Sequence, residues 1–252
     1  MKNLINKTIH SDCFELFPLI EDKSIDMILC DLPYGTTNCK WDSVLDLSKL
    51  WIEYKRIIKD NGAIVLTAQT PFDKVLGVSN LSWLRYEWIW EKTQATGHLN
   101  AKKMPMKAHE NILIFYKKLP TYNPQKTYGH IRKVSKGYQR DICIERRKNK
   151  WGNDYLYGTE TTAPDYDSTS RYPRSVVVFP VDKQKSSLHP TQKPLALFEY
   201  LIKTYTNEGD MVLDNCCGAG TTGLACKNLK RNFIQCDIEE KYYLIAKERL
   251  NT

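Results

Sequence analysis

Two short segments of this chain have residue types and spacings that could do chemistry. The first is Asp31-Leu32-Pro33-Tyr34, near the start, where a carboxylate and an aromatic ring follow an apolar run. The second is segment 214–222, near the end, where an acid is followed by Gly218 and Gly220. The first segment indicates catalysis, and the second indicates cofactor binding. In an ordinary dinucleotide-binding α/β protein the glycine loop follows the first strand, whereas here it comes nearly last.

The residues around the glycine loop predict that it follows a strand and opens a helix. Met211–Asp214 suits a buried parallel strand, and the residues after the loop have helix-forming composition. Gly218, Gly220 and Gly223 permit a tight turn and a close backbone approach to a ligand at the helix N-terminus. A second apolar run, Phe233–Asp237, ends in a carboxylate placed to accept the hydroxyls of a cofactor ribose. This arrangement suits NAD as well as it suits S-adenosylmethionine.

The glycine spacing of segment 218–223 literally satisfies the pattern of a dinucleotide site, so a dehydrogenase is one alternative. A single match of this kind is weak evidence. After Asp237 the chain has room for one helix and no further strand, so the rest of the sheet must lie upstream. The sequence also offers no acid/base pair suited to hydride transfer to a carbonyl. The dehydrogenase is therefore the less favoured interpretation.

A third segment, His189-Pro190-Thr191-Gln192-Lys193-Pro194, lies between the first two. The three segments in this order resemble the motifs of the β group of amino-methylating DNA methyltransferases, in which the catalytic half precedes the cofactor-binding half. The resemblance covers residues 1–117 and 174–252. The sequence departs from the family pattern at Leu32, where proline is more usual. It also departs in the glycine loop, where the pair 216–217 is two cysteines and the family more often has a Pro-Phe pair.

The resemblance implies an α/β protein with the Rossmann-like, S-adenosylmethionine-dependent methyltransferase fold, circularly permuted. It implies a seven-stranded, mostly parallel sheet, with the last strand antiparallel and an inserted target-recognition region. The expected division is a catalytic half over 1–117, a basic, aromatic-rich insert over 118–173 and a cofactor-binding half over 174–252. The sequence pattern itself predicts elements that fit this order. The predicted strands are 25–31, 63–68, 83–90, 111–117, 211–214 and 233–237, and the predicted helices are 45–59, one beginning at Pro194, 219–230 and 239–250.

The catalytic segment suits methyl transfer to the exocyclic amine of a base, a poor nucleophile because its lone pair is delocalised into the ring. Asp31 and, in the family, the backbone carbonyl of Pro33 would accept both N–H bonds and aim the lone pair at the methyl donor. Tyr34 would stack on the base, which must be flipped out of the duplex to react. Electrostatic positioning then supplies the catalysis, and we expect no activated cysteine and no metal.

The resemblance also implies which residues bind the cofactor, S-adenosyl-L-methionine. They are Asp31, Thr191, Gln192, Lys193, Pro194, Asp214, Cys216, Gly218, Gly220, Thr221, Thr222 and Asp237. The pair His109-Glu110 could suggest zinc-protease chemistry, but Leu113 stands where the second histidine would be, so we interpret the pair as structural. The eight cysteines show no C-x-x-C spacing, so we expect reduced thiols.

The insert is the region where target recognition is expected. Lys126–Lys150 holds nine Lys or Arg against two acids, and seven of the 15 tyrosines lie in the insert together with Trp151. Basic and aromatic residues together suit phosphate contacts and base stacking. The alternative is a solvated loop whose charge only maintains solubility. The candidate DNA-binding residues are Arg132, Lys133, Lys136, Arg140, Arg146, Arg147 and Lys148.

The function expected from these features is site-specific DNA methylation at adenine N6, because aspartate at the first tetrapeptide position leans toward adenine in the family. Cytosine N4 is the alternative, and an RNA adenine methyltransferase or an NAD-dependent dehydrogenase is less favoured. The expected partners are double-stranded DNA and a cognate restriction endonuclease, the latter without a stable complex. We expect a monomer or a homodimer.

Composition agrees with a globular enzyme built on one main domain, since 42% of the residues are hydrophobic and 26% are charged. The N-terminus lacks the apolar stretch of a signal peptide, and no run approaches membrane-spanning length. We therefore expect a cytoplasmic protein without a membrane partner.

Overall fold

The computed structural model describes most of the chain. The described residues are 1–35, 43–135, 138–139, 145–148, 154–157, 162–163, 166–181 and 192–251. The chain forms two compact units, of which the first comprises 1–123 and 175–252 and the second comprises 124–174. The predicted site residues Lys136, Arg140 and Thr191 lie outside the described residues.

The described residues form strands and helices that alternate through most of the first unit. The strands are β1 Lys7–His10, β2 Ile25–Cys30, β3 Ile58–Ala68, β4 Leu84–Thr96, β5 Lys107–Phe115, β6 Lys133–Ser135, β7 Tyr138–Gln139, β8 Glu145–Lys148, β9 Asp154–Tyr157, β10 Thr162–Ala163, β11 Tyr166–Ser168, β12 Val176–Phe179, β13 Met211–Asp214 and β14 Asn232–Asp237. The α-helices are α1 Cys13–Leu16, α2 Leu47–Ile57, α3 Phe72–Ser79, α4 Leu195–Tyr205, α5 Thr221–Asn228 and α6 Glu240–Asn251.

An eight-stranded sheet forms the centre of the first unit, in the order β1-β14-β13-β2-β3-β5-β4-β12. Of these strands β5 runs antiparallel to both of its neighbours, and the other neighbouring pairs are parallel. The permuted order is confirmed, because the late strands β13 and β14 lie between the early strands β1 and β2. The sheet has one strand more than the seven that the resemblance implies. Strands β1 and β12 are not among the strands that the sequence pattern predicts, and β12 pairs with β4 from Val176 opposite Ile89 to Phe179 opposite Lys92.

Helices cover both faces of this sheet, which explains why its central strands are apolar throughout. On one face the core contains Leu50, Tyr54 and Phe72 from α2 and α3. On the other face it contains residues of α4 and α5, including Phe198 and Ala225. Strand β13 is buried along its whole length, as expected for a parallel strand covered on both faces.

The helix predicted from Pro194 is confirmed, and its predicted apolar face is the buried one. That face consists of Leu197, Phe198, Leu201, Ile202 and Tyr205. The helix predicted over 45–59 is shorter, because it begins after Asp46, whose carboxylate accepts hydrogen bonds from the backbone N–H groups of Ser48 and Lys49. It ends where β3 begins at Ile58, five residues before the predicted strand start.

The second unit contains three two-stranded antiparallel pairs among its described residues: β6 with β11, β7 with β10 and β8 with β9. The candidate DNA-binding residues Arg146, Arg147 and Lys148 lie on β8, opposite Leu156, Tyr155 and Asp154. Arg132 and Lys133 are exposed near the start of the unit. Across the part of the chain that the structure describes, no helix is long and apolar enough to cross a membrane.

Candidate active site

The sheet order brings the two chemically interesting segments to one edge. Strands β2 and β13 are parallel neighbours, with Val212 opposite Met27 and Leu213 opposite Ile28. Asp31 follows β2 directly, and Asp214 is the last residue of β13. Because parallel neighbours end at the same edge of a sheet, the two acids lie side by side there.

A cavity of about 480 Å³ opens at this edge of the sheet. Its volume is within the range of sites for small molecules and cofactors. The lining residues from the predicted site are Asp31, Pro33, Tyr34, Gln192, Lys193, Asp214, Cys216, Gly218, Thr221 and Asp237. The remaining described residues of that prediction, Pro194, Gly220 and Thr222, are not among the lining residues. Each of the three is adjacent in sequence to a lining residue, at the start of α4 or α5.

Asp31 is held by three donors from three parts of the chain. One carboxylate oxygen accepts hydrogen bonds from the Tyr34 hydroxyl at 2.7 Å and from the Thr67 hydroxyl at the end of β3. The other oxygen accepts from Lys193 Nζ at 2.6 Å. The Asp31 side chain is still 22% exposed, so it can meet a ligand that enters the cavity.

The Tyr34 ring has a neighbour on its face and a cation nearby. It stacks on Phe72 of α3, with 5.3 Å between ring centroids and 25° between ring planes. Lys193 Nζ lies 5.4 Å from the Tyr34 ring centroid. Burial, followed by the charges of Asp31 and Glu110, raises the pKa of the Tyr34 hydroxyl well above its usual value. The hydroxyl therefore stays protonated and acts as a donor to Asp31.

Behind Asp31 lies a buried network of alternating charges. Lys193 contacts Asp31 at 2.6 Å and Glu110 at 3.3 Å, and Lys92 contacts Glu110 at 2.7 Å. Gln69 adds a hydrogen bond of 2.8 Å to Glu110. The side chains of Lys92, Glu110 and Lys193 are only 6–7% exposed. Their charges are therefore compensated by one another and not by solvent.

The pKa values in this network follow from its ion pairs. Burial acts to lower the pKa of Lys193, but the charges of Asp31 and Glu110 outweigh it and leave that pKa raised. Burial acts to raise the pKa of Glu110, but Lys193 and Lys92 outweigh it and leave that pKa lowered. Both groups are therefore charged at neutral pH. Glu110, interpreted from the sequence as structural, contributes to the cavity wall and holds the lysine that contacts Asp31.

The glycine loop is shaped by hydrogen bonds to Asp214 and by the absence of side chains. Asp214 accepts from the Thr222 hydroxyl at 2.5 Å and from the backbone N–H of Cys216 at 3.1 Å. Burial raises the pKa of Asp214 to about 7. Gly220 has a φ of +72°, and a Cβ there would lie 2.7 Å from Cβ of Ala246 in α6. Glycine is therefore required at this position for two reasons, one conformational and one steric.

Asp237, the last residue of β14, binds the backbone of the glycine loop through a hydrogen bond. One of its oxygens accepts from the backbone N–H of Gly218 at 2.8 Å, and the other accepts from that of Glu239 at 3.0 Å. Burial raises its pKa above the usual aspartate value, although these two backbone donors act against the shift. Each oxygen keeps a further lone pair, so a ribose hydroxyl can still be bound.

Cys216 is packed among other thiols beside the loop. Its hydrogen bond with Cys30 acts to lower its pKa, but burial and the neighbouring acids and thiols outweigh it and raise the pKa to about 12. Cys216 is therefore a protonated thiol and a poor nucleophile. All six cysteines whose placement the structure describes are free thiols.

Several residues at the cavity have no signal in the local sequence. Thr67 lies near the end of β3, Gln69 follows that strand directly, Phe72 begins α3, and Lys92 lies within β4. Tyr54 of α2 donates a hydrogen bond of 2.5 Å to the Asn215 side chain and so ties α2 to the glycine loop. These residues meet only through the sheet order, which no single segment of sequence contains.

The cavity fits a ligand that carries positive charge. Its lining includes six carboxylates, from Asp12, Asp31, Glu110, Asp214, Asp237 and Glu239, and two ammonium groups, from Lys92 and Lys193. The buried side-chain oxygen of Gln192 has no hydrogen-bond partner among the described residues, so it can accept from a ligand ammonium group. S-adenosylmethionine brings a sulfonium, an ammonium group and ribose hydroxyls, which match these acceptors.

Comparisons with known proteins show the family of this chain. The family model described as DNA methylase, of the N6/N4 methyltransferase type, matches residues 25–248. The chain is 30% identical to the type II methyltransferase M.HpaI of Haemophilus parainfluenzae, covering 98% of this chain and 74% of that protein. It is 28% identical to the type II methyltransferase M1.MboII of Moraxella bovis, covering 98% and 97%.

Solved structures give the same result. The M1.HpyAVI–SAM complex superposes with a TM-score of 0.62 at 27% identity, covering 98% of this chain and 99% of that one. The cytosine-N4-specific PvuII DNA methyltransferase superposes with a TM-score of 0.66 at 13% identity, covering 96% and 85%, which bears on the fold alone.

The fold and the site thus define an S-adenosylmethionine-dependent methyltransferase with a permuted Rossmann-like domain. The chain belongs to the N6/N4 DNA methylase family. Its cofactor is S-adenosyl-L-methionine, and its substrate is DNA.

Proposed function

We propose that this protein methylates adenine N6 at specific sites in double-stranded DNA. The observation that carries the proposal is the position of Asp31 on the wall of a cavity that also contains the glycine loop. Asp31 occupies the first position of the tetrapeptide, where aspartate favours adenine N6 over cytosine N4 in the methyltransferases that this chain resembles. The type II methyltransferases related to this chain support site-specific action within a restriction-modification system.

Asp31 is the group that prepares the amine for reaction. Its carboxylate accepts one N–H of the target amine, and the backbone carbonyl of Pro33 accepts the other, which directs the nitrogen lone pair out of the ring plane. To bind the amine, Asp31 gives up part of its hydrogen bonding to the Tyr34 and Thr67 hydroxyls and accepts from the amine instead. Lys193 remains on the other oxygen and keeps the carboxylate oriented.

Tyr34 provides the surface on which the flipped base stacks. Phe72 packs against one side of its ring, which leaves the ring fixed at the cavity wall. Stacking on an aromatic ring stabilises an extruded base by about 1–3 kcal/mol. That contribution offsets part of the free energy needed to remove the base from the duplex.

The cofactor is held by groups on the other side of the cavity. Asp237 would hold the ribose hydroxyls of the cofactor, the backbone at Gly218 would contact it, and Gln192 would accept from its ammonium group. When bound, the cofactor supplies a methyl group on a positively charged sulfur. The acidic lining around Asp31 and Asp214 stabilises a cation before transfer more than the neutral product after it, which we expect to favour product release.

The second unit and the basic residues around it supply the duplex contacts in this proposal. The supporting observation is the charge of segment 126–150, which holds nine basic residues and two acidic ones. Each phosphate neutralised by such a residue releases counterions and strengthens binding to DNA of any sequence. The flipped adenine then occupies the cavity of the first unit.

The deciding experiment identifies the methylated base and tests Asp31 together. DNA from cells that express the chain is digested to nucleosides, and N6-methyladenine and N4-methylcytosine are measured by mass spectrometry. We expect N6-methyladenine with the wild type and none with Asp31→Ala, because the amine is no longer oriented.

Calorimetry separates the chemical role of Asp31 from a binding defect. The affinity of Asp31→Ala for S-adenosylmethionine is expected to stay within about threefold of wild type. N4-methylcytosine as the product would replace the adenine assignment by the cytosine one. Full activity of Asp31→Ala would contradict the catalytic role of this residue.

A further inference from the structure

The connection between β4 and β5 combines basic residues with exposed apolar ones. Residues 97–106 contain Lys102 and Lys103 and no acid, and Lys107 begins β5. The connection also carries apolar side chains that face solvent: Leu99 is 88% exposed and Met104 is 54% exposed. Single exposed apolar residues are ordinary. Apolar side chains grouped on a cationic loop, however, suit contact with nucleic acid, whose phosphates are anionic and whose stacked bases are apolar.

The strand directions place this loop at the edge of the sheet that holds the active site. Strand β4 runs parallel to β2, because both β3 and β4 are antiparallel to β5 and β3 is parallel to β2. The loop therefore leaves the sheet at the edge where Asp31 lies. Thr96, at the start of the loop, lines the same cavity as Asp31.

A chain of contacts connects the base of the loop to the catalytic residue. Lys107 donates a hydrogen bond of 3.1 Å to Gln69, which donates one of 2.8 Å to Glu110. Glu110 pairs with Lys193 at 3.3 Å, and Lys193 pairs with Asp31 at 2.6 Å. The loop is thus anchored to the same network that orients Asp31.

Leu99 lies at the middle of a short helical turn, His98–Asn100, that begins after Gly97. Gly97 has a φ of +87°, which allows the chain to turn sharply away from β4. The structure pairs neither Lys102 nor Lys103 with a carboxylate among the residues it describes. An exposed leucine therefore projects between a sharp turn and two ammonium groups that are available to phosphates.

We propose that this loop enters the DNA duplex at the target site, with Leu99 filling the space left by the flipped nucleotide and Lys102 and Lys103 on the flanking phosphates. The inference rests on the proposed function, since it requires a base to leave the stack. Apolar side chains inserted between base steps stabilise such openings. The loop, and not only the basic insert, is then part of the DNA interface.

The test compares Leu99→Ala with wild type on two duplexes that contain the recognition site found by sequencing. In one duplex the target adenine is paired, and in the other it faces an abasic position, so that flipping costs much less. Leu99→Ala is expected to lower kcat/KM on the paired duplex by about tenfold or more and to match wild type on the abasic duplex.

The matched control is Leu119→Ala, since Leu119 is 77% exposed in the same unit and follows the far end of β5, away from Asp31. This variant is expected to behave as wild type on both duplexes. Equal activity of Leu99→Ala and wild type on the paired duplex would overturn the inference, as would an equal loss on both duplexes. Wild-type protein that methylates neither duplex would instead contradict the proposed function.

Discussion

Two acids end neighbouring strands of this sheet, and they are held in opposite ways. Asp31 has a cation at 2.6 Å and two hydroxyl donors. Asp214 accepts from a hydroxyl and a backbone N–H, with no cation beside it among the described residues. The proposed catalytic side of the cavity, around Asp31, is therefore organised by charge, and the proposed cofactor side, around the glycine loop, by backbone shape and neutral hydrogen bonds. Substitutions that remove charge or add volume should affect the two sides differently.

Removal of charge is expected to have the largest effect, on the catalytic side. Lys193→Met leaves the part-exposed Asp31 and the buried Glu110 without a shared cation, and the loss of a partner from a buried ion pair typically costs about 3–5 kcal/mol of the free energy of unfolding. Methyl transfer should fall by more than about tenfold, because Asp31 is no longer oriented. Urea unfolding and single-turnover kinetics measure the two effects.

The control for this change is Lys59→Met. Lys59 forms an ion pair of equal length, 2.6 Å, with Asp26, but its side chain is 40% exposed. An exposed pair contributes about 0–1 kcal/mol, so this variant should remain close to wild type. Equal destabilisation by the two substitutions would mean that burial of the charge network does not increase the cost of removing its lysine.

Added volume is expected to have the second largest effect, on the cofactor side. Gly220→Ala places a Cβ at 2.7 Å from Ala246 and puts a side chain at a φ of +72°. Overpacking and left-handed strain together should cost about 3 kcal/mol of the free energy of unfolding and weaken cofactor binding. Thermal unfolding and calorimetry provide the measurements.

Gly209→Ala separates the two causes, since Gly209 has a φ of +85° and no atom within 4 Å of the added Cβ. Only the strain remains there, so the expected cost is about 1 kcal/mol with cofactor affinity unchanged. If the two variants were equally destabilised, the close packing of α5 against α6 would not be the reason for glycine at position 220.

The smallest expected effect concerns the proton on Asp214. Burial raises its pKa to about 7, so the carboxyl is protonated below that pH and ionised above it. A cationic ligand binds the ionised form better, and its affinity should therefore increase by up to about tenfold per pH unit below pH 7 and level off above it. Calorimetry from pH 5.5 to pH 8 is the measurement, and Asp214→Asn should remove most of the dependence. A wild-type profile that decreases with pH would contradict this assignment.

The site residues that lie on short, patterned segments are the ones that the sequence predicts. Asp31, Asp214, Gly218 and Asp237 each sit at a strand end or turn that local pattern predicts, and the structure brings all of them to one cavity. Their individual roles stay predictions. At position 220 the sequence predicts the tight turn that requires glycine. It does not predict the steric reason, because Ala246 approaches Gly220 from another helix.

The remainder of the site could not be read from local pattern. Lys92 and Glu110 lie just outside the predicted strands 83–90 and 111–117, and only the pairing of β4 with β5 and the approach of Lys193 show their buried ion pairs. Strands β1 and β12 are not predicted either, because each pairs with a strand far away in the sequence, β1 with β14 and β12 with β4. Both failures arise from long-range pairing, which periodicity does not encode.

The pairing of β1 with β14 has a consequence for the synthesis of this protein. Lys7 lies opposite Ile234 and Met27 lies opposite Val212, so strands made last separate strands made first. While the chain emerges from the ribosome, β1 and β2 have no native neighbour between them, and the apolar strand β2 remains without its partner β13. A product that terminated before β13 would therefore contain Asp31 but neither the strands β13 and β14 nor the glycine loop.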